Sequence, residues 1–152
     1  MDTSAAIQFI VLIILLALSA FFSSAETSLT TVNKIKMRNM ADEGNKKAQL
    51  VLKITDEPSK MLSAILIGNN IVNLSASALT TSIAYALGGS AVAIATGILT
   101  VAILIFGEIT PKTVATLNAE KMALKYAYPI RFIMVVVTPV NLIVNALSRV
   151  VF

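Results

Sequence analysis

The sequence predicts an all-α integral membrane protein, and three observations make that prediction. Of the 152 residues, 57% are hydrophobic and only 13% are charged, against roughly 25% charged in an ordinary soluble domain. The mean hydropathy is +0.84. A soluble domain of this size has to cover itself with polar surface, and the residues for that are missing. The apolar residues also gather in uncharged runs long enough to cross a hydrocarbon core of about 30 Å. Cysteine and histidine are both absent. That removes disulfides, thiol catalysis, imidazole base chemistry and nearly every zinc site.

The first apolar run extends from Ala5 to about Phe22 and, with its more polar continuation, reaches Thr31. Its leading flank carries Asp2 and no basic residue, the wrong flank for a cleaved signal peptide, so it reads as a retained span over about 5–31. Residues 33–58 change character. Lysines, an arginine and carboxylates are interleaved with Ile35, Met37, Met40, Leu50, Val51 and Ile54, and Gly44-Asn45 breaks the segment in its middle. This pattern predicts two short amphipathic helices at a membrane surface, ended by Pro58. A second span covers about 61–87. The Gly88-Gly89-Ser90 turn then forces a third span, about 91–109, to run antiparallel beside it. The last apolar run, 128–152, is long enough to cross but is interrupted by Pro129, Pro139, Asn141 and Asn145. By hydropathy it is either a fourth span or a broken, in-plane helix.

The basic residues set the orientation. Lys34, Lys36, Arg38, Lys46, Lys47, Lys53 and Lys60 cluster between the first two spans, while the N-terminal flank and the Gly88-Gly89 turn have none. The positive-inside rule places that cluster in the cytoplasm and the N-terminus outside. The formal charge of +4 then reflects topology and contact with anionic membrane lipid. There is no nucleic-acid patch.

Polar groups at membrane depth are the functional candidates, because they are costly there. Ser19, Ser23 and Glu26 lie at i, i+4 and i+7 on one face of the first span. A serine in such a helix ordinarily bonds back to its own backbone. In the second span, Asn69 and Asn73 share a face continued by Ser77 and Thr80, while Asn70 points about 100° away. Amides can bond neighbouring helices, but two aligned amides exceed that need. The third span closes in Gly107-Glu108-Ile109-Thr110-Pro111-Lys112. Pro111 has no N–H for the carbonyl four residues earlier, which is that of Gly107. A free carbonyl and the Glu108 carboxylate thus meet at one helix end. Hydroxyl, amide, carboxylate and carbonyl oxygens, without imidazole or thiol, suit a hard cation such as Mg²⁺, Ca²⁺ or Na⁺.

At Ser19-Ala20-Phe21-Phe22-Ser23-Ser24-Ala25-Glu26-Thr27, Gly68-Asn69-Asn70-Ile71-Val72-Asn73 and Gly107-Glu108-Ile109-Thr110-Pro111-Lys112, the chain resembles the transmembrane domain of the CNNM/CorC (cyclin M) magnesium transporters. The resemblance covers nearly the whole chain. It implies three transmembrane helices, a short cytoplasmic helical pair between the first two, and a C-terminal juxtamembrane belt helix at 128–152. It further implies a homodimer in the plasma membrane with a cytoplasmic C-terminus, continuing in longer chains into cytosolic CBS domains that are missing after Phe152. It implies a Mg²⁺ site at Ser19, Ser23, Asn69, Asn73, the Gly107 carbonyl and Glu108. The function it implies is Mg²⁺ export, coupled to Na⁺, from an inward-facing cavity. Small residues at Ala91/Ala95, Ala93/Gly97 and Ala76/Thr80 are spaced for close helix contact.

Two rivals stand beside that reading. One is a membrane-bound Mg²⁺ sensor or scaffold that does not itself transport. The other is an intramembrane hydrolase using Ser23 or Ser24 with Lys112 as base. No orienting group or oxyanion motif accompanies that pair, and the chain is expected not to be an enzyme.

Overall fold

The structure, a computed structural model, describes residues 3–151 apart from the side chains of Ala5 and Leu87. Asp2 and Phe152, used above to bound the first and last apolar runs, lie outside the described residues. Every described element is helical. In chain order these are α1 (Thr3–Thr31), α2 (Lys34–Asp42), α3 (Lys46–Thr55), α4 (Pro58–Leu87), α5 (Ala91–Ala102), a π-helical segment (Ile103–Ile109), α6 (Thr110–Leu117) and α7 (Ala119–Val151).

Local chemistry explains the breaks. Asn33 caps α2 by accepting from the amides of Ile35 and Lys36, and Asn45 caps α3 by accepting from Ala48. Both are the residue type that best replaces missing helical acceptors at an N-terminus. Between them Gly44 takes φ +95°, a left-handed conformation that costs any residue with a Cβ. Pro58, expected only to end the segment before it, opens α4. Its missing N–H and preset φ suit the first helical position.

Four helical stretches are long and apolar enough to cross a membrane: Ala6–Thr31, Pro58–Ala86, Ala91–Leu117 and Ala119–Val151. Three were expected; by length and apolarity α7 makes a fourth candidate. The fourth arises because Pro129 and Pro139 do not interrupt α7, which runs unbroken for 33 residues. Both prolines lie on its exposed side. The opposite side carries an unbroken buried stripe of Ala119, Ala123, Ala127, Ile130, Met134 and Val137, spaced three or four residues apart. The helix also begins at Ala119, nine residues before the expected start at 128. The third span, expected to close at Ile109, continues through Pro111 to Leu117.

The chain divides into two compact units. The first holds residues 3–24 and 69–114. Its buried set is small and unusually polar: Ser19, Phe22, Ser23, Ser24, Val72, Ala76, Thr80, Ala84, Leu99 and Gly107. Many of its large apolar side chains, such as Ile13, Leu74, Ile94 and Phe106, are exposed, as they are in helices whose solvent is lipid. The second unit holds residues 25–68 and 115–151 and is packed like a small soluble helical core. α3 packs against both α2 and α7, and Leu29, Met37, Val51, Ile54, Ile65 and Ile130 are each 2% exposed or less.

Candidate cation site

Several hydroxyl groups in the first unit satisfy themselves locally. Ser24 donates to the carbonyls of Ala20 and Phe21 at 2.7 and 3.1 Å. Thr80, Thr81 and Thr100 each donate to the carbonyl four residues earlier at 2.8–3.0 Å. This is the ordinary behaviour of such residues in apolar helices. Ser19 departs from it. It is 1% exposed, and its Oγ has no hydrogen-bond partner. Ser23, one turn further along α1, is equally buried.

The second contribution comes from α4. Asn69 and Asn73 sit one turn apart, and in each the Oδ1 atom is buried without a partner. Asn70, between them, is exposed. An unpaired buried polar group costs about 1–3 kcal/mol. Such groups are rare in native proteins and call for a physical account. Here three of them, Ser19 Oγ and the two amide oxygens, fall in one compact unit.

The third contribution is the π-helical segment. In an α-helical register the Pro111 ring would press on the Gly107 carbonyl while offering it no N–H. Widening the preceding turn relieves that conflict. The Thr110 amide bonds to the Ile105 carbonyl, five residues back. The next rung in that register runs from residue 111 to Phe106, so there it is the Phe106 carbonyl, rather than that of Gly107, that Pro111 leaves without a donor. Single π turns of this kind occur mostly where helices carry function. Sequence reasoning saw the missing donor but not the change of register. The pairing of Gly107 with Pro111 four residues on was the available signal.

Gly107 is buried because α1 approaches its backbone closely. A Cβ placed there would stand 2.8 Å from Ser19 Oγ and 3.4 Å from Ser19 Cβ. Any larger residue there would force the Ser19 hydroxyl to turn away. Ser19 and Gly107, 88 positions apart in the sequence, are thus direct neighbours. Glu108 follows, half-buried. Among the described residues no three acidic side chains gather at one place. The site would therefore combine one carboxylate with neutral hydroxyl, amide and carbonyl oxygens, acceptors that a hard cation can use. Glu26 belongs to the second unit.

The other candidates fare differently. Ser24 commits its hydroxyl to its own helix, and Lys112 is exposed, so the serine–lysine pair gains no support from this arrangement. An apolar groove of about 300 Å³, lined by residues including Phe9, Leu16, Ile83, Ala95 and Leu99, contains no charged group. Its single hydroxyl, Thr80, is bonded to Ala76.

Buried oxygens without a partner have a consequence for stability. Asn73→Leu removes a buried, unpartnered amide oxygen and substitutes a side chain of similar size. The thermal midpoint of the purified protein should hold or rise, by up to about 1–3 kcal/mol of relieved desolvation, while cation binding falls. A variant that unfolds more readily would instead mean that the amide bonds within the fold.

The sequence profile of the cyclin M transmembrane N-terminal domain matches residues 10–152. The chain belongs to the cyclin M family. Its cyclin M membership and its apolar helices together make it a multi-pass membrane protein. It is 48% identical over 141 residues to a UPF0053 protein of Haemophilus influenzae, covering 86% of this chain and 34% of that protein. It is 42% identical to the UPF0053 inner membrane protein YfjD of Escherichia coli K12, covering 87% of this chain and 31% of that protein. It is 30% identical to the polyamine export protein of the same organism, covering 94% and 35%. The chain therefore spans about a third of the length of these cyclin M relatives.

Proposed function

We propose that this cyclin M domain carries Mg²⁺ across the plasma membrane, with Na⁺ as the coupling ion. The observation that supports this most directly is the trio of buried, unpartnered oxygens on Ser19, Asn69 and Asn73. They share a compact unit with the Gly107 backbone and Glu108. Ser23 completes the set. Glu108 supplies charge, and neutral oxygens supply the rest of the coordination. Mg²⁺ sheds water reluctantly, so a cage of protein oxygens discriminates for it, and a single carboxylate keeps the ion releasable.

The surrounding architecture follows the family pattern in this reading. The N-terminus is outside, α2 and α3 are cytoplasmic, and α7 lies along the membrane surface as a belt. α7 packs on α3, whose Lys46, Lys47 and Lys53 do not belong at membrane depth. A later stretch of α7, Thr138–Asn145, lines a cavity with Ser59, Lys60 and Ser63 at the start of α4. Both contacts suit a helix running beside the cytoplasmic elements. A second copy of the chain would pack on the exposed Ala93/Gly97 face of α5, and CBS domains would follow in longer chains.

A second reading takes its cue from the relative named as a polyamine export protein. Amide and hydroxyl oxygens accept from ammonium groups as readily as they ligate a metal. A third has the site sense Mg²⁺ without moving it. Flux from liposomes reconstituted with this protein separates the three. Mg²⁺ movement that rises with an opposing Na⁺ gradient and is lost in Asn69→Leu is the expected result. Spermidine movement without Mg²⁺ movement would favour the polyamine reading. Mg²⁺ binding with no flux would leave the sensor.

A further inference from the structure

The amides at Asn141 and Asn145 interrupt the uncharged stretch Phe132–Ser148 and are not used by the cation site. They belong to the second unit. There they line a cavity of about 160 Å³ together with Ser59, Lys60, Ser63 and Thr138. We infer that this cavity binds a phosphate group, and that in the membrane the phosphate is the headgroup of an anionic phospholipid.

Donor chemistry carries the inference. Ser59 and Ser63 are one turn apart on α4, and Lys60 stands beside them. Thr138, Asn141 and Asn145 lie at i, i+3 and i+7, on one face of α7. The lining thus presents an ammonium, three hydroxyls and two amide NH₂ groups, and it contains no carboxylate. The Thr138 hydroxyl is already donated to the Met134 carbonyl at 2.7 Å, which leaves the serines and asparagines as the neutral donors. Lys60 reaches Glu57 only at 3.9 Å, with both side chains largely in the open. An exposed pair at that distance is worth little and leaves the ammonium available. A phosphate is all acceptor and matches such a set, whereas a cation would meet Lys60 first.

Position decides the source of the phosphate. Asp56, Glu57 and Lys60 mark the start of α4 as the boundary between its apolar run and water, since charged groups avoid the hydrocarbon. Phospholipid phosphates lie at that boundary. Two amides set into this uncharged, mostly apolar stretch of α7 need partners that acyl chains cannot give. The headgroup supplies them, and Leu142, also in the lining, meets the chain region beside it. The inference does not depend on the cation site, which lies in the first unit.

The test is native mass spectrometry of the full chain released from vesicles of phosphatidylglycerol and phosphatidylcholine in equal amounts. Wild type should retain phosphatidylglycerol over phosphatidylcholine by at least tenfold. Lys60→Gln and Asn141→Leu/Asn145→Leu should each cut that retention at least fivefold, with unchanged thermal midpoints to show that both variants fold. Equal retention of the two lipids, or retention indifferent to both variants, would overturn the phosphate site. Displacement of the lipid by millimolar inorganic phosphate would assign the cavity to free phosphate and overturn the headgroup assignment. Resistance to that displacement supports it.

Discussion

Glu108→Ala should weaken Mg²⁺ binding by about a hundredfold or more, roughly 3 kcal/mol, because truncating the charged member of a desolvated ionic contact typically costs 2–5 kcal/mol. Isothermal calorimetry on the purified protein, with Na⁺ varied in parallel, is the measurement. The arrangement makes the expectation sharp. Glu108 adjoins Gly107, whose backbone lies against Ser19, and no cluster of acidic side chains stands among the described residues to replace it. Glu108→Gln should keep the fold and still lose most of the affinity, since it conserves shape while removing charge. Binding that survives both substitutions and ignores Na⁺ would move the ion to the acidic surface at Asp42 and Glu43, and the sensor reading would lead.

Gly107→Ala should separate packing from function. The new Cβ falls 2.8 Å from Ser19 Oγ, so the hydroxyl has to rotate away. Rotation of a short side chain limits the loss of stability to about 1 kcal/mol, the low end of overpacking costs. Cation binding should fall at least tenfold, because an oxygen now unpartnered and buried is the one displaced. The double variant Ser19→Ala/Gly107→Ala should recover the thermal midpoint, since the two Cβ atoms stand at 3.4 Å, but it should not recover binding. Recovery of both would show that Ser19 serves only to fill space.

Several features of this protein were legible without coordinates because each is set by neighbours in the sequence. Composition alone demanded a membrane environment. Gly44-Asn45 marked a break because a residue at φ +95° followed by a capping amide is a local necessity. The stripes of Ser19 with Ser23 and of Asn69 with Asn73 followed from helical periodicity. The family followed from three short motifs in register and is carried by residues 10–152.

The number of helices long and apolar enough to span was not legible in the same way. Proline, counted along a sequence, reads as a break. Whether it breaks a helix depends on which side it occupies, and Pro129 and Pro139 stand opposite the buried stripe that holds α7 together. The same holds at Pro111, where the sequence promised a helix end and the chain instead widened one turn and continued.

What the sequence determined by itself was the solvent this protein needs, the break between its two short helices, and the chemical kind of its candidate ligands. Those depend on transfer free energies and on bonds within a turn or two of each residue. Tertiary structure alone decided which oxygens are left unpaired. Ser24 and Ser19 look alike in sequence, yet one bonds to its own helix at 2.7 Å and the other is held, buried and unbonded, against the backbone of Gly107. Contact between residues 88 positions apart is a property of packing, and packing sets which polar groups go without a partner.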